Sequence, residues 1–210
     1  KENIEAIKNG LHNLYKHIDN IKNKFGLNVI VALNKYYTDT KEEIDFLTQK
    51  LKEKQIEISI VEGWEKGGEG AIDIANKIVE LANKNSNLNY MYELEDDIKT
   101  KILKVSTKIY GAKNVIYSKE AEKQIEKINL FGYSNLPICI AKTQYSFSDD
   151  PKNLECKNDY SINVKSVELK AGAGFIVVIA GNIMTMPGLP KMPAAENIDI
   201  DKDGNIIGLF

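Results

Sequence analysis

The chain has 210 residues, of which 43% are apolar and 28% are charged, a composition typical of a soluble globular protein with one sizeable core. Lysine and arginine total 28 against 30 aspartate and glutamate, and this near balance gives no basic surface for nucleic acid or for an anionic membrane. The longest apolar run, residues 173–180, is too short to span a bilayer.

Residues 1–92 are predicted to alternate helices and strands. Apolar residues recur every three or four positions over residues 3–24, which predicts an amphipathic helix, whereas the continuous apolar run over 29–33 is typical of a strand in a parallel sheet. The sequence Thr-Lys-Glu-Glu at 40–43 is a capping box that opens a helix. The predicted elements are helices over 3–24, 40–53 and 71–83, strands over 29–33 and 56–61, and a glycine-rich turn before the last helix. This order predicts an α/β layer with right-handed crossovers.

Residues 93–210 are predicted to hold a helical pair followed by a β-rich carboxyl-terminal region. The helices, over 96–110 and 119–128, are rich in charge and are expected to lie on the surface. The later predicted elements are strands over 136–141, 161–169 and 175–180 and a hairpin around Asp203-Gly204. The predicted fold class is therefore α/β, a mostly parallel sheet flanked by helices with a β-rich carboxyl-terminal region, in two segments, 1–92 and 93–210.

Several chemistry-bearing motifs are absent or incomplete. The chain contains no GxxxxGK[ST] phosphate loop, so Asn34-Lys35 after a strand does not indicate a nucleotide hydrolase. Residues 199–204 match the first half of an EF-hand loop, but its twelfth position is Phe210, and a hairpin explains the residues without calcium. The two histidines are five positions apart on one helix, a spacing that does not bring two ligands to one face. We therefore predict no metal site.

The two cysteines, Cys139 and Cys156, cannot form a disulfide framework, which favours a reducing, cytoplasmic location. Both are expected to be reduced thiols. Cys139 lies in an apolar strand and is predicted to be a small core residue.

Aromatic residues follow two neighbouring strands of the predicted sheet. Trp64, the only tryptophan, stands beside the glycine-rich stretch 65–70, and the preceding strand is followed by Tyr36 and Tyr37. Ligands of open α/β sheets bind at the carboxyl ends of the strands, and glycines let a backbone approach a ligand closely. These loops predict a stacking clamp for a planar ring, or alternatively a Trp64 that only caps the hydrophobic core.

Two further irregular loops are candidates for function. Residues 142–151, which include Lys142 and Gln144, are polar and rich in hydroxyl groups, and residues 184–191 are stiffened by proline. Long irregular loops in a compact chain are often functional. For each residue taken singly, a structural role as part of a crossing loop is the favoured interpretation.

Together these motifs resemble one family, the formate–tetrahydrofolate ligases, also called formyltetrahydrofolate synthetases. The matching stretches are NLYKHIDNI (13–21), VALNKYYTDT (31–40), EGWEKGGEGA (62–71), KIYGAKNVIYS (108–118), LPICIAKTQYSFSDDP (136–151), AGAGFIV (171–177), GNIMTMPGLPKMPAAENIDID (181–201) and GLF (208–210). They occur in the family's order. The resemblance is to the carboxyl-terminal portion alone, without the family's amino-terminal, nucleotide-binding part.

The resemblance implies an enzyme that converts ATP, formate and tetrahydrofolate to 10-formyltetrahydrofolate, ADP and phosphate through formyl phosphate. It implies a P-loop-NTPase-like fold, a homotetramer, and ATP with Mg²⁺ bound mainly by the absent part. The phosphate-loop residues then lie outside this chain, the catalytic residues are unknown, and the chain alone is expected to be inactive. It also implies that Tyr36 and Trp64 hold the pterin of the folate, with Ile60 lining the pocket. Further expected loop contributors are Lys35, Thr38, Asp39, Gly67, Gly68, Glu69, Gly70, Lys142 and Gln144.

The chain departs from the family's motif at Tyr36-Tyr37, where the family has Phe-Pro. A ring is retained for stacking, but the loop loses the fixed φ of proline, and Tyr36 gains a hydroxyl group that needs a partner. A second hypothesis is a non-catalytic module that binds folate or contacts a partner subunit without an ATP site of its own. The two hypotheses differ in whether a phosphate-loop polypeptide accompanies this chain.

Overall fold

A computed structural model of the chain describes residues 2–154, 159–184, 188 and 190–209. The helices are α1 (Ile4–Asp19), α2 (Lys41–Glu53), α3 (Gly63–Lys66), α4 (Ile72–Ala82), α5 (Ile98–Val105) and α6 (Lys119–Leu130). Single π-helical turns at Asn20–Lys24 and Ser106–Tyr110 extend α1 and α5, and 3₁₀ turns cover Gly67–Ala71 and Ala194–Asn197. The strands are β1 (Val31–Asn34), β2 (Ile58–Val61), β3 (Asn114–Tyr117), β4 (Ile138–Ala141), β5 (Ser161–Lys170), β6 (Phe175–Ala180), β7 (Asp199–Ile200) and β8 (Ile206–Ile207).

A parallel pair of strands, β1 and β2, organises the first part of the chain. The register pairs Val31 with Ile58 and Asn34 with Val61, so both strands end at the same edge. The predicted capping box opens α2, because Thr40 accepts a hydrogen bond from the backbone N–H of Glu43 and donates its own N–H to the Glu43 carboxylate. These strands and α2 confirm the elements predicted from hydrophobic patterning.

A four-stranded mixed sheet in the order β3-β5-β6-β4 organises the later part of the chain. The pairs β3–β5 and β4–β6 are parallel, and β5–β6 is antiparallel. The helices α5 and α6 cover the core of this sheet. The buried apolar residues of this core are Ile98, Ile102, Ala112, Val115, Ala121, Ile125, Ile128, Ile162, Val164, Val167, Ile176, Val178 and Ala180. The chain is therefore mixed α/β with parallel strand pairs.

The expected surface exposure is found along most of α6, whereas most of α5 is buried or half-buried. Both helices are amphipathic, so their many charges occupy one face while Ile98 and Ile125 enter the core on the other. One charge is itself enclosed, since Lys101 is fully buried and its Nζ donates to the carbonyl oxygens of Ser134 (2.7 Å) and Leu136 (3.1 Å).

Other differences from the predicted elements are local. Strand β3 is not among the predicted elements, because its apolar stretch, residues 115–117, is only three residues long and shows neither an alternating pattern nor a longer apolar run. The glycine-rich turn is helical, made of α3 and the following 3₁₀ turn. Cys139 is exposed rather than packed in the core, because it lies on β4 at the edge of the mixed sheet. The hairpin of β7 and β8 around Gly204 confirms its prediction.

Two predictions fall on parts of the chain outside the described residues. These are the reduced state of Cys156 and the conformation of residues 185–187 and 189 in the proline-containing loop. Among the helices that are described, none combines the length and apolar character needed to cross a bilayer.

Candidate functional site

Two loops meet at the carboxyl edge of the β1–β2 pair. The first follows β1 and holds residues 35–40, and the second follows β2 and holds residues 62–71. The parallel register places the loops side by side, and the backbone N–H of Lys35 donates to the carbonyl of Val61 at 2.9 Å. We call this region the two-loop site.

Three aromatic side chains lie together in the two-loop site and face solvent. The rings of Tyr36 and Trp64 are stacked, with centroids 6.3 Å apart and an interplanar angle of 25°. Tyr37 contacts the same indole at 5.9 Å with a tilt of 60°. Trp64 is 54% exposed, so it does not act as a cap over the core. Tyr36 is 51% exposed, and an exposed flat surface of this kind can bind a planar ring by stacking.

The indole of Trp64 is oriented by the neighbouring loop. Its Nε1–H donates to the backbone carbonyl of Lys35 at 3.0 Å, so the polar edge of the ring has a hydrogen-bond partner. In the first loop, Asp39 accepts a hydrogen bond from the N–H of Tyr36 at 2.8 Å and returns its own N–H to the Tyr36 carbonyl. Thr38 is exposed in the same turn. These contacts hold the turn that carries Tyr36.

One carboxylate joins the two loops. Glu62 accepts hydrogen bonds from the ammonium groups of Lys35 at 2.7 Å and Lys66 at 2.5 Å. Together these two contacts lower the pKa of Glu62 to about 2, and the hydrogen bond from Lys35 has the larger effect. The same hydrogen bond raises the pKa of Lys35. The group is therefore an ion triad whose charges are all in place at neutral pH.

The glycines of the second loop have different roles. Gly67 has a φ of +59°, a conformation that a side chain rarely adopts. Gly70 lies against Glu62, whose backbone N–H donates to the Gly70 carbonyl at 3.0 Å, and a Cβ there would lie 2.5 Å from the Glu62 carbonyl atoms. Gly68 has open space around it, and Glu69 is exposed. Gly70 therefore lets the loop pack closely against Glu62, and Gly67 allows the backbone turn before it.

Ile60, the remaining residue expected to contact the ligand, lies in β2 opposite Leu33 and is 41% exposed. It presents an apolar surface two residues before Glu62. The structure thus brings Tyr36, Ile60 and Trp64 to one end of the same strand pair.

Lys142 and Gln144 lie outside the two-loop site. They line a cavity of about 450 Å³ whose lining includes no residue of the two-loop site. The Lys142 ammonium donates to the carbonyl oxygens of Thr143 and Ser148, each at 3.0 Å, and of Ser146, so it holds its own loop together. The pKa of His17 in the same cavity is lowered, mainly because the side chain is partly buried and to a smaller extent because the charge of Lys142 is nearby. Gln144 is exposed there.

Sequence reasoning missed the roles of Glu62 and Lys66. A signal was available, because Lys35 and Glu62 each stand one position after neighbouring parallel strands and carry opposite charges. Among the described residues, no three histidine, cysteine, aspartate or glutamate side chains are grouped so as to hold a metal ion.

The fold and the two-loop site define an α/β protein with an exposed aromatic surface at the carboxyl edge of parallel strands. The family model for formate–tetrahydrofolate ligase matches residues 1–210, and the chain belongs to this family. A formate–tetrahydrofolate ligase from Campylobacter concisus (strain 13826) is 48% identical over 209 residues. The match covers 100% of this chain but 38% of that relative, so the chain spans well under half of the relative's length.

Proposed function

We propose that this chain is the tetrahydrofolate-binding portion of an ATP-dependent formate–tetrahydrofolate ligase that makes 10-formyltetrahydrofolate. The observation that carries the proposal is the exposed, stacked pair of Tyr36 and Trp64 at the carboxyl edge of β1 and β2. Family membership supports the identity of the planar ligand, the pterin ring of the folate.

The ring geometry suits a pterin that enters between the two side chains. Their centroid separation of 6.3 Å lies within the range of a direct aromatic pair. A ring inserted between them needs about 3.5 Å on each face, or roughly 7 Å in all, so the two loops must separate slightly on binding. Ile60 supplies an apolar contact beside the rings.

The phosphate chemistry belongs to the rest of the ligase. The chain has no phosphate-loop motif, so its residues do not fit ATP and Mg²⁺. In the complete ligase, meaning this chain together with the nucleotide-binding part and its P-loop-like fold, N10 of tetrahydrofolate attacks the carbonyl of formyl phosphate, and phosphate leaves. The two-loop site contributes by holding the folate in place for that attack.

The experiment is tetrahydrofolate binding to variants of the complete ligase. Trp64→Ala and Tyr36→Ala should each weaken binding about tenfold, because a stacked aromatic is worth roughly 0.5–1.5 kcal/mol beyond its burial. Tyr36→Phe keeps the ring and should bind normally. Tyr90→Ala removes another highly exposed tyrosine, outside the two-loop site, and is the matched control.

Unchanged affinity in Trp64→Ala would contradict the proposal. The isolated chain should form no 10-formyltetrahydrofolate from ATP, formate and tetrahydrofolate, and product formation without a partner would contradict the assignment of the phosphate chemistry to the absent part. The family resemblance also supports a cytoplasmic homotetramer, which cell fractionation and light scattering of the complete ligase would test.

A further inference from the structure

Glu62 fixes the second loop through its backbone and joins that loop to the first one through its side chain. Its N–H donates to the Gly70 carbonyl, and its own carbonyl accepts from the N–H groups of Glu65 and Lys66. Its carboxylate, only 22% exposed, binds the ammonium groups of Lys35 and Lys66. Although Glu62 is the residue before α3, its side chain makes no capping hydrogen bond. The carboxylate therefore binds the two lysines and does not cap the helix.

Lys35 is the other half of this connection. Its backbone N–H is fixed to Val61, its backbone carbonyl accepts the indole N–H of Trp64, and its ammonium group is held by Glu62. Tyr36 is the next residue. Any movement of Lys35 therefore moves one ring of the stacked pair directly and removes the acceptor that orients the other.

We propose that Glu62 is a positioning residue for the folate site, which sets the spacing and tilt of the Tyr36 and Trp64 rings by holding Lys35 and Lys66. This inference rests on the proposed function of the two-loop site. Glu62 acts through Lys35, the residue before Tyr36, and through Lys66, two residues after Trp64. Its loss should affect folate affinity and leave the handling of ATP and formate unchanged.

The main variant is Glu62→Gln in the complete ligase, with Glu80→Gln as the matched control. Both remove one negative charge, but Glu80 is exposed on α4, outside the two-loop site. Glu62→Gln should raise the KM and Kd for tetrahydrofolate roughly threefold to tenfold, the effect of losing two partly exposed ion pairs, while the KM values for ATP and formate stay constant. Glu80→Gln should leave all three constants unchanged.

A double-mutant cycle tests whether Glu62 acts through Lys35. Lys35→Met should weaken folate binding to a similar degree, and adding Glu62→Gln to Lys35→Met should cause less further loss than it does alone. Lys35→Arg keeps the pairing group and should retain affinity. In the 210-residue chain, the emission and near-ultraviolet circular dichroism of Trp64 should change in Glu62→Gln and not in Glu80→Gln.

The outcomes separate this inference from the function on which it rests. If Trp64→Ala weakens folate binding but Glu62→Gln binds like the wild type, the positioning role is overturned and the folate site stands. Equal losses for tetrahydrofolate, ATP and formate, accompanied by a lower melting temperature, would also overturn it, because a general loss of folding would explain them. If Trp64→Ala binds folate normally, both proposals fail.

Discussion

Replacing Gly70 by alanine is the most direct test of how the second loop is held. A Cβ at this position would lie 2.5 Å from both the carbonyl carbon and the carbonyl oxygen of Glu62, whereas ordinary contact begins at 3.4 Å. Both atoms belong to the backbone and cannot rotate away. The loop must therefore move by roughly 1 Å, which carries Glu62 and Trp64 away from the first loop.

The expected loss of stability in Gly70→Ala follows from this overlap, and a second glycine of the same loop provides a matched control. Overpacking against a backbone costs about 1–3 kcal/mol, and each kcal/mol lowers the melting temperature of a chain of this size by about 2–4 °C. Gly68 lies two residues earlier, does not have a positive φ, and has no atom within 4 Å of the position that a Cβ would occupy. Gly68→Ala should therefore be neutral, or stabilise the chain by up to about 1 kcal/mol through a less flexible unfolded state.

Two assays report on the change. Thermal unfolding of the 210-residue chain measures stability, and tetrahydrofolate titration of the complete ligase measures the site. Gly70→Ala should lower both the melting temperature and the affinity, the latter about tenfold or more, because displacements near 1 Å disrupt a positioned site. A Gly70→Ala chain that matches Gly68→Ala in melting temperature and in Trp64 emission would refute this reasoning.

Two further predictions concern charged groups. Lys101→Met should destabilise the chain by about 1–3 kcal/mol in denaturant unfolding, because the carbonyls of Ser134 and Leu136 lose their donor. The control is Lys99→Met on the exposed part of α5, which should change stability by less than about 0.5 kcal/mol. The pKa of Glu62 is lowered from 4.5 to about 2, so its contacts contribute stability above pH 4.5 that is lost only as the pH falls towards 2. Carboxyl carbon NMR should show Glu62 titrating near 2, and a midpoint near 4.5 would contradict the ion triad.

The amino-acid sequence by itself determined most of the local structure and the location of the aromatic loops. Hydrophobic periodicity, the capping box at Thr40 and the hairpin glycine at 204 are read from residues close together in the chain, and the corresponding elements are present. The meeting of the Tyr36 and Trp64 loops was also predictable, because two adjacent parallel strands joined by one crossover must end at the same edge.

Only the tertiary structure decided which faces are buried and which charges pair. The order of the strands in the mixed sheet decides three features. These are the burial of the core faces of α5 and α6, the exposure of Cys139 on an edge strand and the enclosure of Lys101. Lys142 likewise lies in a separate cavity, because it follows β4 and this strand belongs to the mixed sheet. The Lys35–Glu62 contact joins residues 27 positions apart. The sequence places both residues one position after their strands, but the geometry that pairs them is set by the register between the two strands.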